Sequence, residues 1–509
     1  MNIGEWSYKR ARLWPDRPFL QQGDQCCTNR EFNDRVNRMA HVLMAKGIQK
    51  GDRVATVMLN CSAFMEIFFA CAKTGAIIVP INHHLAVPEL AHIIADCGPR
   101  VLIHSPGFAA AIEEVRNCGG PVEFCLQHAG EALAAAAGFD DPADPRTATE
   151  PAVPWAVTLA DPLLIMFTSG TTGTLKGAVL SHENFLFGAI QNLLSYGIDA
   201  TYKSLVVAPL FHIGALVASA TPVIYAGGTL VLREFDNPSE IIHLIMNEKI
   251  NYMFAVPVMY KMLSKAPAWE SADFAHVHYF VAGGAPMPVS LIHQYQDEKG
   301  VRFVQGFGMT ETLRIISLDL EDAQRKAGSI GKEMFHTLVR IVDDAGEEVL
   351  PEAAGEIIVK GPTVFTRYWN NPDATAEALR DGWFHTGDLG KRDADGFIYI
   401  VGRKSDLIIC AGENIYAAEV EHAIEAIAQV SEAAVVGIPD ATRGEVAAAF
   451  VVLRETGSLT AEDLAAALKG RLAPYKIPKK ITFVASLPKT GSGKIHKSEL
   501  KQHAAVTTR

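Results

Sequence analysis

The first hundred residues alternate between two hydrophobic periods. Thr28 and Glu31 stand three apart, ahead of Phe32, Val36, Met39 and Leu43, which is a capping box followed by one apolar helix face. Arg53 to Leu59 then reads as a strand, Ser62 to Lys73 as a helix, and Ile77 to Pro80 as a buried strand. Strand, helix and strand in that order predict a parallel or mixed sheet flanked by helices. From Gln127 to Asp161 the chain is rich in Ala, Pro and Asp with little periodicity, which predicts a surface excursion before strands resume at Leu163. Ser204 to Leu232 carries no Asp, Glu, Lys or Arg and is longer than the ~20 apolar residues that span a bilayer. Pro209, His212, Gly214, Pro222, Gly227 and Gly228 interrupt it, so the expectation is a buried strand-turn-helix core with a functional loop, not an integral membrane segment.

Gly-containing strands and turns run from Gly355 to Gly396, and a short polar segment, Gly402-Arg403-Lys404-Ser405-Asp406, separates them from a tail with its own pattern. There Val420, Ala423, Ile424 and Ile427 mark a helix, Ala433 to Val436 and Val446 to Leu453 read as strands, and Thr460 with Asp463 starts another helix. The predicted organisation is an α/β chain: a large N-terminal multi-sheet α/β domain, residues 1–402, followed by a hinged small α+β C-terminal domain, residues 403–509.

Composition narrows the function classes. The 49% hydrophobic and 20% charged residues suit a large buried core and exclude a disordered chain. A net charge of −11 argues against a protein that coats nucleic acid, which needs a basic face. The eight cysteines contain no CxxC pair, and the first nineteen residues scatter charges where a signal peptide is apolar, so the expectation is a reduced, cytoplasmic protein.

The chemistry is written most densely in Thr168-Ser169-Gly170-Thr171-Thr172-Gly173-Thr174-Leu175-Lys176-Gly177, directly after the apolar strand that begins at Leu163. Glycines allow close backbone approach to a ligand, hydroxyls and amides cradle phosphate oxygens, and a lysine neutralises their charge. The spacing does not fit GxxxxGK[ST], because Gly177 follows Lys176 and the nearest upstream glycine is Gly173. A P-loop NTPase is therefore disfavoured.

This loop resembles the TSGTTGxPKG signature of the adenylate-forming superfamily, with Leu175 in place of its proline. Further motifs follow in family order. Ala282-Gly283-Gly284-Ala285-Pro286 is similar to the turn on which the family rests adenine. Phe307-Gly308-Met309-Thr310-Glu311 is similar to [YF]GxTE, where the resemblance implies that Phe307 faces adenine, Thr310 touches the α-phosphate and Glu311 binds Mg²⁺. Asp388, in Trp383-Phe384-His385-Thr386-Gly387-Asp388, and Arg403 fall where the family holds the ribose. Lys494, in Pro488-Lys489-Thr490-Gly491-Ser492-Gly493-Lys494-Ile495, falls at the catalytic lysine. Ser405 takes the hinge position, and Gly412 with Glu413 the loop that shapes the coenzyme A tunnel.

Three positions choose a branch. Phe211-His212 stands where amino-acid-adenylating members carry an aspartate for the substrate ammonium, and His212 instead suits an acyl pocket and its gate. Ile409 replaces the lysine of luciferases, and Cys410 to Tyr416 resembles the GGENIY segment of bacterial acyl-CoA ligases. The implied function is an AMP-forming acyl-CoA synthetase that uses ATP, Mg²⁺ and coenzyme A on a fatty, aryl or functionalised carboxylic acid. An acyl-AMP ligase serving a carrier protein is the alternative, and the motifs leave a homodimer open. By family position the acyl pocket includes His212, Ile213, Gly214, Leu313 and Arg314, with Gly214 opening space. Arg314 has two readings: inward, pairing with an oxygen on the acyl tail, or outward, pairing with a nearby acid.

Overall fold

Helix Ser62–Thr74 buries eleven of its thirteen residues, and a helix apolar on every side belongs inside a core. In the computed structural model, its Phe68 meets Phe185 of helix His182–Tyr196 edge-on at 5.5 Å, and Phe69 meets Phe32 of helix Asn29–Ala45 at 5.7 Å. The structure describes residues 2–117, 122–127, 148–169, 175–411, 413–440, 442–455, 457, 459–469, 471–489 and 495–506. Most of the predicted 127–161 excursion, Gly170, Thr171, Thr172, Gly173, Gly412 and Lys494 lie outside the described residues, as does the side chain of Ser169.

The predicted capping box at Thr28 is present. The Thr28 N–H donates to the Glu31 carboxylate at 2.8 Å, and the Glu31 N–H donates to Thr28 Oγ1 at 3.3 Å. Two units divide the chain, one of residues 1–339 with 359–384, the other of 340–358 with 385–509.

Among the described residues, the first unit carries a seven-stranded and a nine-stranded sheet. The seven-stranded sheet runs, in spatial order, Arg367–Tyr368, Leu175–Ser181, Pro162–Ser169, Ile77–Pro80, Arg53–Val57, Val101–His104 and Phe124–Gln127. The strand expected over 53–59 stops at Val57, and Leu59 is exposed. The nine-stranded sheet sets Tyr252–Ala255, Tyr279–Gly283 and Phe303–Met309 parallel, and Leu313–Leu318 returns antiparallel. Helix His182–Tyr196 follows the first sheet directly and reaches the second, where Gln191 donates to the Arg314 carbonyl. The charge-free run behaves as expected: strands Lys203–Val206 and Thr229–Leu232 pair parallel, joined through a fully buried π-helical turn, Ala215–Ala220. Among the described residues no helix is long and apolar enough to cross a membrane.

The second unit contains the predicted small α+β tail. Strands Val430–Asp440 and Gly444–Leu453 pair along their length, and Ala417–Glu425 and Ala461–Leu468 pack into their core. Thr460 caps the latter helix with Asp463, as its spacing predicts.

Candidate active site

Register places the first cluster. The hairpin of Pro162–Ser169 and Leu175–Ser181 sets Thr168 opposite Lys176 and Phe167 opposite Gly177. A side chain at Gly177 would press on Ile165, Phe167 and Trp369 at 2.8–3.3 Å, so only glycine lets this edge close. Thr168 Oγ1 lies 3.3 Å from Glu311 Oε1, which brings two motifs 143 residues apart into contact. Glu311 is 5% exposed and also accepts from the Tyr368 hydroxyl at 3.0 Å. Burial, and then the Glu311 carboxylate, push the Tyr368 phenol far up, so it stays a protonated donor. Lys176 Nζ sits 5.4 Å from the centroid of the same Tyr368 ring. Sequence reasoning missed Tyr368. It stands in the aromatic run 365–369, just before the Asn371 helix cap, and that run carries no signature of its own.

A second cluster forms at the carboxyl ends of two parallel strands, where open α/β sheets present their ligand crevices. Gly283 and Gly306 are register partners, and a Cβ on Gly283 would come 3.1 Å from the Gly306 carbonyl. Gly284 has φ +79, and Ala285 is exposed. Phe307, Met309 and Thr310 are half-buried, and a bulge falls between Phe307 and Gly308. Any Cβ on Gly308 would collide with the Leu313 carbonyl. Leu313 itself is fully buried at φ +55, a conformation that costs a non-glycine residue on the order of 1 kcal/mol and tends to mark functional sites.

Arg314 follows on that strand and is 5% exposed. Among the described residues no carboxylate lies within 4.0 Å of its guanidinium, which overturns the outward, acid-paired reading. The reason is local: Gly306 has no side chain, and the guanidinium lies in the space above it.

His212 is half-buried, its ring 4.6 Å from that of Phe211, and Ile213 and Gly214 lead into the π-helical turn, a distortion frequent at functional sites. Gly214 does not open space as its size suggested. The Phe254 ring occupies it, 2.9 Å from a Cβ built there, and the same ring covers Gly283. Phe254 is therefore a further residue of this cluster.

In the second unit, antiparallel pairing sets Asp388 opposite Arg403, and Arg403 Nε meets Asp388 Oδ1 at 2.8 Å. The sequence placed both residues at one ligand group, and the register brings them together. Thr386 Oγ1 accepts the Asp388 N–H at 3.0 Å and donates to the Ile357 carbonyl at 2.7 Å. Ser405 lies exposed in the 3₁₀ turn Lys404–Asp406. Lys404 contacts Asp344 at 2.9 Å, and that hydrogen bond raises its pKa. Glu413 is exposed and pairs with Cys410 across a hairpin whose first turn residue, Ala411, has φ +52.

Known proteins resemble this chain along nearly its whole length. Residues 8–369 match the AMP-binding enzyme family, and residues 419–494 match the AMP-binding enzyme C-terminal domain. The chain is 41% identical to a feruloyl-CoA synthase of an Amycolatopsis species, over 98% of each chain. It is 37% identical to an indoleacetate–CoA ligase of Aromatoleum aromaticum, over 100% of this chain and 99% of the relative. Among solved structures, the o-succinylbenzoate CoA synthetase of Bacillus subtilis, in complex with its acyl-adenylate intermediate, superposes with a TM-score of 0.86 at 32% identity, covering 98% of each chain. The chain belongs to the AMP-binding, adenylate-forming family and to its acyl-CoA synthetase branch.

Proposed function

We propose that the chain joins a carboxylic acid with a hydrocarbon or aryl body to coenzyme A in two steps at one site. A carboxylate is a poor acyl donor, because its oxygen leaves badly and its charge repels nucleophiles. In the first step a carboxylate oxygen attacks the α-phosphorus of ATP, pyrophosphate leaves, and acyl-AMP remains bound. In the second, the coenzyme A thiolate attacks the acyl carbon and AMP leaves. The observation that carries this reading is that Thr168 and Tyr368 both meet Glu311 while Lys176 lies over the same Tyr368 ring. That arrangement sets a hydroxyl beside one buried carboxylate and a cation on the shared tyrosine ring, groups suited to phosphate oxygens.

A Mg²⁺ ion fits this donor set. Mg²⁺ characteristically takes one or two carboxylates plus substrate phosphates, and Glu311 is one such buried carboxylate. Glu311 would hold it, with the Thr168 hydroxyl adjacent. When bound, it neutralises phosphate charge and stabilises the departing pyrophosphate.

Phe307 and the Gly283-Gly284-Ala285 turn take the adenine, Thr310 the α-phosphate, and Asp388 with Arg403 the ribose. Gly170 to Gly173 wrap the phosphates, and Lys494 bridges the carboxylate and phosphate oxygens as they approach. His212, Ile213, Gly214 and Leu313 line the acyl site. Rotation about 402–406 at Ser405 then exchanges Lys494 for Gly412 and Glu413, which shape the thiol's path. Relatives named for feruloyl and indoleacetate substrates support an aryl acid.

Acid-dependent exchange of pyrophosphate into ATP tests the first step. Glu311→Gln keeps the Tyr368 contact but removes the charge, and should lower exchange by about 100-fold or more. Exchange within threefold of the parent would overturn the role of Glu311.

A further inference from the structure

Arg314 is a buried cation whose surroundings leave it incomplete. Its register partner on the neighbouring strand is Gly308, and its guanidinium lies over Gly306, where any Cβ would strike it. One face rests on the Tyr196 ring, with Cζ 4.3 Å from the centroid. Nη1 has a long contact to Asn192 Oδ1, 3.4 Å, while Nε and Nη2 have no hydrogen-bond partner among the described residues. The neighbours are already committed elsewhere: the Tyr196 hydroxyl pairs with Ser317 at 2.7 Å, and Asn192 Nδ2 donates to the Gly188 carbonyl at 2.7 Å. A guanidinium stays charged at any physiological pH, and a buried charge left unpaired is strongly unfavourable.

The residues around those donors adjoin those proposed for the acyl site. Gly306 directly precedes Phe307 and touches the space of Gly283, and Phe254 bridges Gly283 to Gly214. Gly283 and Gly306 thus lie side by side, the Phe254 ring over one and two unspent N–H donors in a planar fork over the other. That fork matches an oxygen acceptor in two-point geometry, best of all an anionic one.

Resting on the acyl-CoA synthetase reading, we infer that Arg314 selects the acid: the substrate carries a second, oxygen-bearing acceptor group at the end remote from the reacting carboxylate, and Nε and Nη2 of Arg314 bind it. Plain hydrocarbon acids leave the two donors buried and unpaired, and the enzyme discriminates against them for that reason.

The test uses the full-length protein with matched acids that differ only at the far end: 3-phenylpropanoate, its para-hydroxy and para-carboxy analogues, and octanoate with its dicarboxylic counterpart. AMP release with coenzyme A gives kcat and KM for each. The parent should favour functionalised acids by about 10- to 100-fold in kcat/KM, through KM. Arg314→Met should erase that preference while kcat/KM for the plain acids holds or rises, and Arg314→Lys should recover part of it. Equal loss for plain and functionalised acids, or a parent that prefers plain ones, overturns the proposal and leaves the synthetase reading standing. No AMP from any acid defeats the synthetase reading instead. Calorimetric binding of the same pairs to the parent protein gives a readout independent of how the variants fold, and a plain acid binding as tightly as its functionalised partner counts against the role of Arg314.

Discussion

His182 is fully buried at the start of its helix, Nδ1 accepting the Ile3 N–H at 3.2 Å, and burial drives its pKa down to about 4 from an ordinary 6.5. The unfolded chain takes up this proton near pH 6.5 and the folded chain only near pH 4, so stability falls as pH drops through that window. Between pH 7.5 and 5 the loss from this one group should be about 2 kcal/mol. Urea unfolding at both pH values measures it. His182→Gln should be less stable at neutral pH yet show a shallower dependence, whereas identical pH slopes for parent and variant would refute the assignment. In sequence His182 is a polar letter between a strand and a helix, and nothing in its neighbours signals full burial. Glu311 and Asp388 were legible because each sits in a dense motif. Tyr368 and the burial of Arg314 were not, since each depends on a partner about sixty residues away or more, or on the missing side chain of Gly306.

At the scale of elements, helices announced themselves best. The capping boxes at Thr28 and Thr460 fall where the spacing put them, because cap and first turn are a local bargain between adjacent residues. The π-helical turn at 215–220 was invisible, as the run Ala-Leu-Val-Ala-Ser-Ala satisfies an α or a π pattern equally. Helix Ser62–Thr74 carries the sharper lesson. Its apolar run ends in Lys73, whose Nζ is buried and donates to Asn33 at 2.8 Å, Asn37 at 2.6 Å and Glu150 at 2.6 Å. Burial lowers the Lys73 pKa, while the lysine and Asn33 overcome burial at Glu150 and hold its carboxyl below the usual range. Lys73→Met leaves those acceptors without their cation and should cost about 2 kcal/mol, less than a fully enclosed pair because the Glu150 side chain keeps 40% exposure. Denaturant midpoints measure the cost; a variant as stable as the parent would show the cluster to be dispensable.

Across the whole molecule, the alternation of strands and helices was enough to predict a multi-sheet α/β body and a smaller α+β tail, and both are present. Sheet order was not readable, because it depends on pairings between segments as distant as Leu20 and Leu230. If catalysis proceeds through rotation at 402–406, Ser405→Pro should separate the half-reactions, since proline removes the backbone freedom a hinge uses. Pyrophosphate exchange should stay within about threefold while thioester formation falls about tenfold or more, and equal losses in both would rule out the hinge. The central claim is that the acid itself attacks the α-phosphorus. An aryl acid labelled with ¹⁸O in its carboxylate, incubated with Mg-ATP and coenzyme A, tests it by mass spectrometry of the products. The account predicts acyl-CoA and AMP carrying one ¹⁸O; unlabelled AMP, or ADP in its place, would contradict it.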